Sequence, residues 1–403
     1  MTIPLEFWGY PRPDGSFGVR NHVLIIGAMD NINPVVRRIA AGVKGTVPLW
    51  AAYGRGMIAE DAVQHERTLV GYGTHPNVAA ALVVSMEPQS AERIARQIAV
   101  TGRPVQWIAV QQIGGTAKAV DEGIRLAMQM VIDAGRILRQ AVPVSELIIG
   151  VECGASDATS GLTANSATGV VADWMVGSGG TVVLSETEEI IGAEDALAAR
   201  AINEEVAHQL LSAVRTREDE ARFIGAESLG FGPDNASGGL TTLEEKSLGA
   251  VRKGGTSPLC EVIGYAERPS RKGLVFMDAP APGTENITAL AAGGCHILLF
   301  NTGVGNPVGN PVAPTLKITG NPRTAVHFAD NIDVDVSGIL TGTDDLESGA
   351  ARIRQALLDV ANGMMTRSEI LGDVEIAISR VELGYRRARG LAPTQLNRTG
   401  ADA

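Results

Sequence analysis

The sequence predicts an α/β protein of two lobes, each built from mostly parallel sheets flanked by helices, with a Rossmann-like C-terminal lobe. Three observations carry this expectation. Short apolar, β-branched runs alternate with amphipathic helical stretches, the pattern of a parallel sheet with covered faces. The composition is that of a globular chain, 45% hydrophobic and 20% charged over 403 residues. Its 48 glycines often stand in pairs near the ends of apolar runs, where strand-to-helix turns need positive φ or close backbone approach.

Taken in order, "HVLIIGA", "TVPLWAA", "ALVVSM" and "VQWIAV" read as strands. "INPVVRRIAAGV", "SAERIARQIAV" and "AVDEGIRLAMQMVIDAGRIL" read as the helices between and after them. A new series starts after Val142-Pro143 with the strands "ELIIGVECG" and "TVVLSETEE". A helical stretch from about Ala193 to Phe223 is expected to connect the lobes. Strands "CEVIGYA", "GLVFMDAP" and "HILLFNTG" follow, with a helix near 285–293 and a last one over "DLESGAARIRQALLDVANGMM". At roughly 150 residues per domain, the expected division is 1–142, 143–390 carrying most of the site motifs, and a frayed tail 391–403. In open sheets of this kind ligands gather beyond the carboxyl ends of strands. None of the strand exits fits G-x-G-x-x-G, so a nucleotide is not indicated.

A formal net charge of −11, with no dense basic face, argues against a nucleic-acid partner. No apolar run reaches the roughly 18–20 residues that span a bilayer. The start "MTIPLEFWGYPRPDG" lacks the layout of a signal peptide, so the expectation is a cytoplasmic enzyme without membrane contact. Cys153, Cys260 and Cys295 are too few and too scattered for a disulfide framework or a CxxC zinc site.

Three stretches concentrate chemistry. In "DNASGGLTTLEEKSLGAVRKGG" (234–255), Thr241 or Thr242 can cap a helix through Glu244 or Glu245. The same start leaves amides open to an anion, with Lys246 and Lys253 adding positive charge. In "VECGASDATSGLTANSATG" (151–169), a strand empties into a loop of short polar side chains that includes Asp157, Ser160, Thr163 and Asn165. Cys153, at the strand end, can be a metal ligand, a reactive thiol or a buried inert one. "FNTGVGNPVGNPVAPTLKITGN" brings Thr302 and Lys317 to another glycine-rich turn. His75, in "GTHPNV", is a candidate base or metal ligand. Glu186 and Glu189 in "SETEEIIGAE" read as a solvated acidic turn.

These stretches together resemble the altronate/galactarate dehydratase family, seen also in the large subunit of sulfolactate sulfo-lyase. The resemblance runs through "GYPRPDGSFGVRNHVLI", "HPNVAAALVV", "GVECGASDATSGLTAN", "GGTVVLSETEEIIGAE", "NASGGLTTLEEKSLGAVRKGGTSP", "VFMDAP" and "PTLKITGN". It implies a carbon–oxygen lyase, a hydro-lyase of carbohydrate metabolism. Such an enzyme removes a proton α to the carboxylate of a sugar acid or hydroxy acid, and water or sulfite departs to leave a 2-keto acid. The resemblance also implies a divalent metal (Fe²⁺, Mn²⁺ or Mg²⁺), with Cys153 and His75 as ligand candidates. A separate small SAF-domain subunit is implied as partner, since longer relatives carry that domain ahead of the region matched here. A homo-oligomer is expected as well.

The chain departs from the family pattern where Ala51 and Arg55 stand for a His and a Cys, and where Pro88 and Gln89 stand for a Cys and a Glu. These departures put the metal in question and open a second reading, a catalytically altered sugar-acid binding or regulatory subunit. On the first reading Lys246, Lys253, Asp157 and His75 carry catalysis. Arg55, Ser160, Thr163, Asn165, Asn235, Thr241, Thr242, Thr302 and Lys317 hold substrate, and Asp157, Thr242 and Lys317 border one cavity.

Overall fold

The computed structural model describes residues 5–51, 53–57, 59–224 and 230–380. The expected tail at 391–403 lies outside them. The strands are β1 (Glu6–Pro11), β2 (Phe17–Gly18), β3 (His22–Gly27), β4 (Thr46–Leu49), β5 (Val78–Ser85), β6 (Val105–Ala109) and β7 (Gln140–Pro143). They continue with β8 (Ile148–Cys153), β9 (Thr181–Leu184), β10 (Leu259–Ile263), β11 (Gly273–Met277), β12 (Ile297–Asn301), β13 (Thr315–Thr319) and β14 (Val334–Asp335).

Two parallel sheets result, as the alternating pattern predicts. The N-terminal one has the order β4-β3-β5-β6, and the C-terminal one has seven strands in the order β10-β11-β9-β8-β12-β13-β14. Strands β5, β9, β11, β12 and β13 are buried at every residue, which is why they read as continuous apolar runs rather than alternating ones. A small antiparallel ribbon, β2-β1-β7, stands apart. Through it the first residues pack on the C-terminal lobe. Phe7 and Val19 join that lobe's core, and the Arg20 guanidinium lies 2.8 Å from Glu369.

The lobes share one apolar cluster, in which Leu69 and Tyr72 of helix Ala59–Gly73 meet Ile287, Leu290 and Ala291 of helix Gly283–Ala292. Space there is tight, since a Cβ at Gly71 would collide with the carbonyl of Ala292. The helical stretch expected to connect the lobes is two helices, Glu194–Ala198 and Glu204–Ile224. Leu197, Val206, Leu210 and Val214 bury against the core of the seven-stranded sheet, so this segment covers one lobe rather than bridging two.

The chain lays β9, β11 and β10 on one side of β8 and β12, β13 and β14 on the other. The strand order therefore reverses between β8 and β12, and an open α/β sheet offers its crevice at the carboxyl ends of such a pair. In this protein those ends are Cys153 and Asn301, which sit opposite each other in register.

Candidate active site

Each polar group at the β8 end is placed by a short element. After β9 the backbone turns sharply at Glu186, whose φ of 71° lies in the left-handed region. Ala155, just past Cys153, has φ 54°. Non-glycine residues there cost on the order of 1–3 kcal/mol each and cluster at functional sites. The turn at Glu186 leads into a 3-10 helix, Thr187–Ile190, that carries Glu189 inward. Across from it, Thr242 caps helix Leu243–Ala250 by accepting a bond from the Glu245 amide at 3.1 Å. Lys246 follows one turn later, and a 3-10 helix, Val251–Gly254, delivers Lys253. Helix Ala164–Gly177 lies under this turn with Gly169 at the contact, where a Cβ would strike the Arg252 carbonyl.

The result is a continuous chain of polar contacts. Lys253 Nζ lies 2.5 Å from Glu186 Oε2 and 3.1 Å from Cys153 Sγ. Cys153 Sγ is 3.3 Å from Glu189 Oε2, and Glu189 Oε1 is 2.7 Å from Lys246 Nζ. Lys246 also donates to Asn235 Oδ1 at 3.1 Å and to the carbonyl of Gly230. Asn235 is fixed in turn by donating to the Ser156 carbonyl at 3.0 Å. Two lysines thus face two carboxyl groups and a thiol, so each buried polar group has a partner of complementary character.

Burial and the Glu186 charge push the Cys153 thiol well above its usual range. Burial also pushes Glu186 up, to about 8, against the pull of Lys253. Burial would lower both lysines, but for Lys246 the Glu189 carboxylate, and for Lys253 the Cys153 and Glu186 groups, outweigh it and hold them above the usual ammonium range. On the other face of β8, Glu152 is wholly buried with no hydrogen-bond partner for either oxygen among the described residues. Burial, then Glu186, raises it well above the carboxylate range.

Two clefts open on the cluster. One of about 510 Å³ is lined by Gly154, Ala155, Glu189, Asn235, Lys246, Gly283 and Asn306 among others. A smaller one, about 220 Å³, is lined by Asp157, Ser160, Asn165, Lys246 and Arg252 among others. Lys246 is common to both, half-way between solvent and the buried chain of contacts.

Cys153, Lys246, Lys253 and Asn235 are thus brought together, with Asp157, Ser160 and Asn165 beside them. Asp157 Oδ1 accepts from the amides and hydroxyls of Thr159 and Ser160, and its Oδ2 accepts from Asn321 at 2.6 Å. Asn165 links Asn301 and the Gly249 carbonyl. Thr163 donates to the Thr159 carbonyl, and Thr302 accepts from the Gly305 amide. Thr241 and Thr242 are exposed at the helix start, and Arg55 is exposed on the N-terminal lobe.

Lys317 is buried with its Nζ 3.2 Å from the centre of the Phe300 ring, and burial lowers it well below the usual range. Asp157, Thr242 and Lys317 therefore do not border one cavity, because strand pairing puts Lys317 beneath the sheet surface while capping holds Thr242 outside. His75 is not brought to the cluster either. It sits before β5, bonded to the Cys295 carbonyl and the Asn77 amide, at the amino end of β12, whereas Cys153 faces the carboxyl end. The length of β12 separates them, roughly 15 Å. Glu186 and Glu189, expected as a solvated turn, are buried instead, and they form the half of the cluster that sequence reasoning missed. The signal was three acids, Glu186, Glu188 and Glu189, directly after an apolar strand.

A divalent cation was implied for this site. Cys153, Glu186 and Glu189 place one donor atom each within 4.8 Å of one another, a donor set suited by residue type to such an ion. The arrangement, however, already commits those atoms. Lys253 bonds two of the three donors, and an ion at normal ligand distances would stand roughly 3–4 Å from its ammonium in a buried setting. The cluster as folded fits an ammonium and does not fit a divalent metal.

Comparison with known proteins agrees with the sequence resemblance. The model of the D-galactarate/altronate dehydratase C-terminal domain matches residues 144–383. The D-galactarate dehydratase/altronate hydrolase second domain matches residues 9–135. The chain is 37% identical to the (2R)-sulfolactate sulfo-lyase subunit beta of Chromohalobacter salexigens, over 93% of this chain and 97% of that one. It is 31% identical to the altronate dehydratases of Bacillus subtilis, over 92% and 77%, and of Escherichia coli, over 92% and 76%. Two family models that together run through both lobes, and relatives named as dehydratases and a sulfo-lyase, settle the kinship: the chain belongs to the D-galactarate/altronate dehydratase family.

Proposed function

We propose that this protein is a lyase acting on a small 2-hydroxy carboxylate that bears a leaving group on the next carbon, either hydroxide or sulfite. The observation that carries the reading is Lys246, an ammonium buried to 8% exposure that lines both clefts and is tied through Glu189 and Cys153 to Lys253 and Glu186. Elimination beside a carboxylate needs a base for the C2 proton and a fixed positive charge for the enediolate that forms. Glu189, which lines the larger cleft beside Lys246, is placed for the first task, and Lys246 suits the second.

In this scheme the C2–H electrons become the carbon–carbon double bond and the C3 substituent leaves with its bonding pair. The resulting enol tautomerises to a 2-keto acid. Sulfite departs as an anion, whereas hydroxide must take up a proton to leave as water. Lys253 holds Glu186 and Cys153 in place, and Asn235 with the 230–235 turn aims Lys246. Asp157, saturated by hydrogen bonds, shapes the loop wall of the smaller cleft.

The 37% identity to a sulfo-lyase named as a subunit, against 31% to the altronate dehydratases, favours sulfolactate over a sugar acid as substrate and a partner subunit as an additional requirement. Purified chain, alone and with a candidate small subunit, should release sulfite and a 2-keto acid from sulfolactate, or a 2-keto acid from altronate or galactarate. Binding of these acids with no keto-acid release under any of these conditions would favour the binding-subunit reading instead.

A further inference from the structure

We propose that Lys253 occupies the place of a cation at the Cys153–Glu186–Glu189 cluster, and that its removal opens a divalent-metal site there. Three donor atoms converge within 4.8 Å from the β8 end and the turn after β9. That spacing is unusual for a buried thiol and two buried carboxyls unless positive charge joins them. The charge is supplied by Nζ of Lys253, 2.5 Å from Glu186 Oε2 and 3.1 Å from Sγ, on a side chain with no exposure. Lys246 satisfies the outward oxygen of Glu189 and leaves Oε2 facing the sulfur.

An ammonium and a divalent ion compete for the same two atoms, so the two occupants exclude each other. The ammonium is tethered by a 3-10 turn, Val251–Gly254, and Asp173 holds the chain just after it through bonds to the Thr256 and Ser257 amides at 2.9 and 2.8 Å. Its local concentration is therefore fixed and high. The inference shares its residues with the functional reading above but not its substrate, so either can fail alone.

The test uses the purified full chain and Co²⁺ as probe, because a cobalt–thiolate bond absorbs in the near ultraviolet whether or not the protein is active. After dialysis against Co²⁺ the wild type should show no thiolate band and far less than one equivalent of tightly held cobalt. Lys253→Met, similar in length but uncharged, should bind one equivalent at least on the order of 100-fold tighter, with a thiolate band. Adding Cys153→Ser to that variant should remove the band. A stoichiometric thiolate band in the wild type that disappears in Cys153→Ser overturns the proposal, and this arm decides alone if Lys253→Met does not fold. A folded Lys253→Met that takes up no cobalt overturns it equally.

Discussion

Lys246 Nζ stands 2.7 Å from Glu189 Oε1, an ion pair in which both side chains are less than a tenth exposed and the ammonium faces two clefts. A charge so placed meets substrate while its partner anchors it from behind. Lys246→Ala should lower kcat/KM by about 10²–10³-fold, the usual cost of removing one donor that steadies developing negative charge. Lys246→Arg should not rescue it, since a planar guanidinium cannot reproduce a point charge in this space. Steady-state kinetics with intact circular dichroism checks both.

The pH profile should report Glu186. Its carboxyl is raised to about 8, and when ionised it anchors Lys253 and the Cys153 amide behind the cleft. The sign follows directly: kcat/KM should rise as pH increases through about 8 and level off above it. Glu186→Gln should lower the activity and remove that limb. A profile flat from pH 6 to 9 in the wild type contradicts the assignment.

Gly169 couples the fold to the site. A side chain there must push the Arg252 carbonyl away, and Lys253 is the next residue. Gly169→Ala should destabilise the protein by about 1–3 kcal/mol. It should also reduce turnover at temperatures where the protein remains folded. Unchanged turnover would uncouple the helix from the Lys253 turn.

The histidines report stability rather than catalysis. Burial lowers His296 to about 4 and His75 well below its usual range, so both are neutral in the fold. The unfolded chain binds these protons first, near pH 6.5. The His296 contribution to stability is therefore complete above that value and is lost as pH falls towards about 4. The slope of unfolding free energy against pH between those limits should be shallower in His296→Gln than in the wild type. Equal slopes would contradict the neutral burial of this histidine.

Much of this was legible in the sequence, and the remainder has physical reasons. Buried parallel strands announce themselves as apolar runs, so "HVLIIGA", "GLVFMDAP" and "HILLFNTG" correspond to β3, β11 and β12. The stretch at 234–255 was readable as a capped helix and as a carrier of two lysines, because capping and inward-facing positions follow helical periodicity. Glu186 and Glu189 read as solvated in the sequence because acidic residues in a turn ordinarily are, and only tertiary structure reveals the ammonium groups that make their burial tolerable. His75 looked chemical because nothing in a sequence shows that both ring nitrogens are consumed by backbone partners. The helix expected between the lobes failed on the same ground, since its apolar face says that it is covered but not by which sheet.

The central claim is that chemistry occurs where Lys246 meets the larger cleft at the carboxyl ends of β8 and β12. A crystal structure of Glu186→Gln soaked with sulfolactate tests it most directly. The account predicts a carboxylate within hydrogen-bond distance of Lys246 Nζ, beside Gly154 and Gly283. The substrate seated instead in the separate groove lined by Glu66, Arg67 and Arg268, with the Lys246 cleft empty, would contradict it.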